Sequence, residues 1–473
     1  GLTISGNNTD RVFIVNAGAT AALKNLTVTK GFGWQLAGGI LNNGSLTLDH
    51  VTLTQNNMAT NAGDWWQGGG AIYSGGGATL NLIDSSVTDN HAAWSGGGVY
   101  SFLNTTTNIV RSTISGNVSN DVGGAIRSLG NMNITNSTLS GNSANFGGGI
   151  QNFGTLGLTN STISGNNANT DGGGIYNNHS SGTVTLTNLT ITDNRADADN
   201  NASGTGGGIY VFNTSLQPLL RNTIVADNFN EDGATDGEDD ISGTVDPASS
   251  FNLIGTGGAG GLTNGVNNNQ VGVANPGLGP LLNNGGTTET HALLSTSPAI
   301  ETGSNANLPV DTLDLDGDLD TAETLPVDQR GTDFPRVADS ADANTIQTVD
   351  IGAYEAHPTI EDIANQTTNQ DTVKNVSFNL GDDTGALIST VTATSSNTTL
   401  VPNANLIFSG SGGSRNLQIT PAAGQSGITT ITVTVTATNG RTAADTFDLT
   451  VIPPNASPIV TTTAGNLAYT ENV

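Results

Sequence analysis

The chain has 473 residues, enough for roughly two to four domains. Its 40 Asp and Glu against 12 Lys and Arg give a formal net charge of -28, which disfavours nucleic acid and anionic membrane surfaces and leaves divalent cations and basic surfaces as partners. There is no cysteine, which excludes disulfides, thiolate metal sites and a Cys nucleophile, and no apolar run of about eighteen residues long enough to span a bilayer as a helix.

Along the chain, one phrase recurs: an aliphatic residue, Ser or Thr, any residue, then Asn. It covers Ile4 to Asn7, Leu53 to Asn56, Val87 to Asn90, Ile114 to Asn117, Leu139 to Asn142, Ile163 to Asn166, Ile191 to Asn194 and, with Ala226 in the hydroxyl place, Val225 to Asn228, with "VTKG" from Val28 filling the first gap. A Gly-Gly phrase alternates with it and ends at Ile40, Ile72, Val99, Ile126, Ile150, Ile175 and Ile209. Between them lies a third apolar run, such as "SLTLDH", "NMNITN" or "TLGLTN". Alternation rich in β-branched residues predicts strands, and no segment has sustained helical spacing.

Three short strands per repeat cannot form a self-sufficient sheet, but coiled and stacked they bury each inward side chain against its copy in the next turn. The expected fold class is all-β: a right-handed parallel β-helix. In it Ile114, Leu139 and Ile163 stack inward, and Thr113, Ser115, Thr138, Ser140, Thr162 and Ser164 face water. The phrase-ending asparagines sit at a turn, where an amide can pair with backbone or with the amide one coil away. The coils are assigned to residues 1–228, and 229–356 to a C-terminal part of the same domain with acidic loops.

The alternating phrases resemble the repeats of the polymorphic outer membrane protein type. The run "NTIVADN", "SFNLIG", "PGLGPLLNNGG", "HALLSTSPAI", "VDQRG" and "DIGAYE" within residues 222–355 resembles the end of the choice-of-anchor Q type domain of secreted bacterial proteins. That resemblance implies export and surface attachment or assembly and supplies no catalytic residue. Residues 357–453 read as strands spaced for a small antiparallel sandwich and resemble the immunoglobulin-like or cadherin-like modules of bacterial adhesins. Residues 454–473 read as a linker and the first strand of a further module. Because "GLTISGNN" at Gly1 already lies inside a repeat, the chain is expected to be a piece of something longer.

Four constellations are candidates for chemistry. In "DLDGDLDTAE", Asp314, Asp316, Asp318, Asp320 and Glu323 place hard oxygen ligands around Gly317, part of a calcium-loop pattern without EF-hand spacing; the alternative is a solvated acidic loop. Glu231, Asp232, Asp236, Glu238, Asp239 and Asp240 read as a solvated insertion. Glu361, Asp362, Asp371, Asp382 and Asp383 match interdomain calcium only through the cadherin-like resemblance. Trp65, Trp66 and Trp94 precede neighbouring Gly-Gly corners, with Trp34 one coil earlier; they either stack on sugar rings or cover the core.

Parallel β-helices also carry polysaccharide-degrading enzymes. "NTDG" at Asn169 to Gly172 matches one piece of the polygalacturonase signature, but its companion pieces are absent, and His50, His91, His179, His291 and His357 are scattered with no Ser or Asp partner phrase. Outward Thr could match an ice lattice, yet such Thr is common on strands. The expectation is a non-enzymatic extracellular structural or adhesive protein, self-assembling into a fibre or surface layer through coil ends and terminal strands, with glycan binding as the alternative.

Overall fold

The structure is a computed structural model that describes residues 1–59, 66–178, 182–201, 203–213, 216–230, 237–332, 334–336, 348–356, 358–382, 388–437, 442–454, 459–463 and 466–470. Side chains are not described at 359, 382 and 437, nor beyond 454. Among the described residues the chain is all-β apart from three short 3₁₀ turns, and no helix is long and apolar enough to cross a membrane. Residues 1–337 with 347–356 form one compact unit; residues 357–473 belong to a second.

Three parallel sheets build the first unit as a solenoid that fits a parallel β-helix. Sheet 2 stacks the strands that follow the glycine corners, including Val99–Ser101, Ile126–Ser128 and Ile150–Asn152. Sheet 3 stacks two- and three-residue strands that follow the asparagines, such as Val118–Ser119 and Asn167–Ala168. Sheet 1 holds both remaining runs: Asn131–Thr135 and Thr138–Ser140 lie in one sheet, and in the next coils they merge into single strands, Thr155–Ser164 and Val184–Thr192.

The expectation of three short strands per repeat is corrected: a coil such as that of Ile126–Ser128, Asn131–Thr135, Thr138–Ser140 and Ser143–Ala144 has four, on three faces. The "SLTLDH" run and the "STISGN" run share a face because one residue in the left-handed region turns the chain between them. That residue is His50, Asp84, Arg111, Asn136, Asn160, Asn188 or Asn222, with φ between 45° and 54°. Asn, whose short amide tolerates this region, dominates the later copies. The third face is the pair of residues after each Asn, too short to show periodicity.

Inward stacking follows the expected register: Val87 opposes Ile114, then Leu139, Ile163, Ile191 and Val225, and all are fully buried. Burying such a side chain contributes about 1.5–3 kcal/mol. At the corners Gly123, Gly147 and Gly172 have φ of 65° to 71°, and a Cβ on Gly148 would lie 2.4 Å from the Asn167 carbonyl oxygen. The Gly-Gly phrase is therefore fixed by backbone conformation and by close approach of the next coil.

Stacking continues through Leu253–Ile254 and Gln270–Val271. Beyond that the chain leaves the stack, and the described residues of 278–336 and 348–356 return along sheet 1, burying Leu293, Ala299, Ile351 and Tyr354 against Ile224 and Leu253. This return corrects the reading of sheet-1 hydroxyls as solvated: Thr138, Thr162 and Ser164 are buried beneath it, while Thr113, Ser115 and Ser140 stay partly open.

In the second unit, two four-stranded sheets enclose one core of Phe378, Leu417, Ile431, Val433, Phe447 and Leu449. One sheet orders Pro358–Ile360, Lys374–Asp382, Ser414–Ile419 and Leu406–Ser409, all antiparallel. The other orders Gln366–Asn369, Thr442–Ile452, Gly427–Ala437 and Ile388–Ser395, with only the first pair parallel. Instead of a single further strand, Ile459–Thr463 and Asn466–Thr470 pair antiparallel with each other.

Candidate functional site

The repeated polar residues are spent inside the stack. Each phrase-ending Asn donates its side-chain amide to the Oδ1 of the Asn one coil on, from Asn56 through Asn90, Asn117, Asn142, Asn166 and Asn194 to Asn228, at 2.9–3.0 Å. The same oxygens accept the preceding Asn main-chain N–H. A parallel column runs through the first Ser of the phrase: the Ser137 Oγ accepts the Ser112 N–H at 3.1 Å, and the Ser161 Oγ accepts the Ser137 N–H at 3.1 Å. The amide pairing was legible in the sequence; the serine column was missed, although Ser recurs at the same place.

The Asn column ends on a carboxylate. Asp240 Oδ1 accepts the Asn228 N–H and amide, and its Oδ2 accepts the Gly257 N–H at 2.9 Å. Donors arrive from both sides, so an acceptor-only group suits this position better than an amide. Burial, opposed by these hydrogen bonds, pushes the Asp240 carboxyl up to about 6. Asp240 was expected in a solvated insertion and is instead fully buried; Glu231, Asp232 and Asp236 lie outside the described residues. Asp239 and Asp171 are also pushed up by burial, each with a carboxylate oxygen on a main-chain N–H, of Gly206 and Thr205 respectively.

The return segment is clasped to sheet 1 by polar contacts. Asn136 and Asn160 donate to the Asp328 and Val327 carbonyls, and Gln329 bridges Thr162, Thr138 and Thr288. His291 is wedged between the Gly279 carbonyl, 2.7 Å from Nδ1, and Ser164 Oγ, 2.8 Å from Nε2. The contact joins residues 127 positions apart, so no sequence phrase marks it. Both side chains are nearly inaccessible, and burial holds the imidazole below its ordinary value. His50 likewise meets Asp49, the residue before it.

The motifs "VDQRG" and "DIGAYE" form the buried end of the clasp. Arg330 pairs with Asp328 at 2.7 Å and lies over the rings of Tyr354 and Phe334 at 3.8 and 4.0 Å. Arg336 donates to the Asp350 and Gly352 carbonyls, and Glu355 accepts the Asp350 N–H. All five charged groups are at most 4% exposed. Paired charges at this depth hold a geometry rather than meet a ligand.

The acidic loop is brought together in part. Asp314, Asp316 and Asp318 have ligand oxygens within 4.8 Å of one another, and Asp316 and Glu323 form a second such set with Asp311. Asp311 was missed because it lies outside the dense run; Asp320 belongs to neither set. Several of these oxygens already accept loop N–H groups: Asp314 from Leu319, Asp316 from Asp318, and both Asp311 oxygens from Leu313 and Leu315. Partial enclosure and the carboxylates of Asp318, Asp316, Asp320 and Asp311 push the Glu323 carboxyl up. Glu361 and Asp371 hold main-chain N–H groups of their own module, of Asn379 and Gly424.

Trp65 lies outside the described residues; Trp66 and Trp94 are half-buried, and Trp34 is 59% exposed, edge-on to Phe32. The aromatic row instead belongs to sheet 2, where Tyr73 and Tyr100 pack edge-on at 5.2 Å and Tyr176 and Tyr210 stack at 5.2 Å. Gly-Gly-x followed by Ile or Val and then Tyr was its sequence signal.

A cleft of about 420 Å³ opens where residues 309–325 cross sheet 1. Its floor carries the outward side chains of Asn81, Asn108 and Asn133, joined amide to carbonyl at 2.9 and 3.0 Å, then Gly157. Its far wall is Pro309, Val310, Leu313, Leu315 and Leu325, with Asp311 and Thr312 among them.

No family model matches the chain, and no curated protein matches it. Among solved structures, a crystal structure of the titin M10–obscurin-like 1 immunoglobulin-domain complex matches 21% of this chain and 99% of its own, at 16% identity and a TM-score of 0.17.

Proposed function

We propose that the protein is a non-enzymatic extracellular structural or adhesive element, in which a right-handed parallel β-helix of the surface-protein kind is followed by an immunoglobulin-like module. The observation that carries this reading is the Asn column from Asn56 to Asp240: the polar residues repeated in every coil serve coil-to-coil bonding. A stack bonded in this way is a stiff scaffold, and scaffold use explains a phrase repeated at fixed period better than single-site chemistry does. Self-assembly into a fibre or surface layer belongs to the same proposal.

Two measurements test it. Purified protein should release no reducing ends from a polysaccharide panel, and electron microscopy should find it in regular end-to-end assemblies. Catalytic turnover would overturn the non-enzymatic reading, and isolated particles at every concentration would overturn the assembly.

The second reading adds calcium at the 311–323 loop, favoured by the enclosed Glu323 Oε1 that lacks a hydrogen-bond partner beside two three-carboxylate sets. Calcium takes six to eight oxygens and would draw on Asp314, Asp316, Asp318 and Glu323. Calorimetric titration with calcium after chelation should give heat that Asp316→Asn abolishes; no heat in the wild type refutes it.

A further inference from the structure

We infer that the cleft between sheet 1 and residues 309–325 is a binding site for a neutral oligosaccharide. The first observation is Gly157. It occupies the middle of the strand Thr155–Ser164, in the outward column Thr47, Asn81, Asn108, Asn133, Gly157, Thr185. Its φ is not positive, and an added Cβ would meet only the Asn133 Oδ1, at 3.1 Å, and the Met132 carbonyl at 4.0 Å. Backbone conformation does not require glycine here, and unlike Gly148 at the corner the position meets no main-chain atom of a neighbouring coil closer than 4.0 Å; the tight neighbour is the Asn133 side-chain oxygen, which has to give by a few tenths of an ångström to admit a Cβ. A glycine inside a strand weakens it, and one without a backbone reason marks a place where something else approaches closely.

The second observation is what Gly157 opens. The amide chain Asn81–Asn108–Asn133 runs toward it, so Asn133 presents its Oδ1 toward the gap. Opposite stand Val310 and Leu313, 57% and 45% exposed. A floor of amides and threonines facing a mostly apolar wall that also carries Asp311 and Thr312 matches a sugar, which offers hydroxyls at its edge and C–H groups on its face. The volume falls in the range of small-molecule sites. In the calcium-free protein the carboxylates of the loop that forms the wall, Asp311 to Glu323, disfavour uronate and sulfated chains by like-charge repulsion, which selects a neutral one when the array is run in chelator.

This inference deepens the adhesive reading and rests on it, yet the two fail separately: turnover of a bound sugar would sink the non-enzymatic reading and leave the site standing. The probe is an array of immobilised neutral, uronate, sulfated and amino oligosaccharides, applied to the full chain and to Gly157→Thr and Asn133→Ala. Threonine already occupies this column at Thr47 and Thr185, so Gly157→Thr should fold with an undiminished melting temperature. The expected result is retention on a neutral oligosaccharide, weakened about tenfold or more by each variant, as the loss of a hydrogen bond or of the space it needs implies. Retention on none of the neutral chains, preference for charged ones, or binding unchanged in both variants would each overturn the site.

Discussion

Asn117 Nδ2 donates to Asn142 Oδ1 at 3.0 Å, and the same oxygen takes the Asn117 main-chain N–H at 2.9 Å. One carbonyl oxygen thus satisfies two buried donors of the preceding coil. The Asn142 amide in turn reaches Asn166 and the Ile114 and Ser140 carbonyls. The unit repeats, so removing any one amide strands groups on both sides of it.

Asp240 gives this column a pH dependence. Its carboxyl is raised from the ordinary 3.8 to about 6, so the folded state binds the proton more tightly than the unfolded state. The stabilisation is complete below the unfolded value and is lost as pH rises through about 6. Asp240→Asn removes that component. Relative to wild type the variant should therefore gain on the order of 2 kcal/mol between pH 4 and 7.5, whatever its offset at pH 4. Chemical denaturation at both pH values checks it; a difference independent of pH contradicts it.

The His291 clasp runs the other way. Burial lowers its pKa from 6.5, so the unfolded state takes the proton first, and stability present above pH 6.5 falls as pH drops toward the folded value. Protonation also removes the acceptor that Nε2 offers Ser164. Proteolytic cleavage of residues 278–332 should rise between pH 7.5 and 5. His291→Leu should lose about 1–3 kcal/mol at pH 7.5 from orphaned partners and show a weaker acid effect. Equal acid sensitivity in the two proteins would remove His291 as its source.

Arg330 fixes the far end of the same segment. Arg330→Ala leaves the Asp328 carboxylate buried without its cation and should cost about 3–5 kcal/mol. Arg330→Met with Asp328→Asn should recover a good part of that, because no charge is left uncompensated. Thermal unfolding of the three proteins decides; a double variant no better than the single would place the loss in the ring contacts of Tyr354 and Phe334.

The stack was readable because its determinants are local and repeated. Ile114, Leu139 and Ile163 announce an inward column, and Gly147 and Gly148 a corner. Sheet 3 was not readable, since two residues such as Val118–Ser119 carry no period. Nor was the return segment: His291 finds Ser164, and Gln329 finds Thr138, across 127 and 191 residues, and nothing in either neighbourhood encodes the partner. For the same reason Thr138 and Thr162 read as solvated when they are covered. Gly157 was visible in "TLGLTN", but a glycine among 64 acquires meaning only when its φ and its neighbours are known.

The most direct test of the account is hydrogen exchange across the Asn column. The main-chain N–H groups of Asn117, Asn142 and Asn166 should be among the slowest to exchange. Asn142→Ala, which orphans the Asn117 N–H and takes one of three acceptors from its amide, should cost about 1–3 kcal/mol and speed exchange in the coils on both sides. Exchange at these positions as fast as in exposed loops, or an Asn142→Ala protein as protected and as stable as wild type, would contradict the claim that the repeated phrase exists to bind coil to coil.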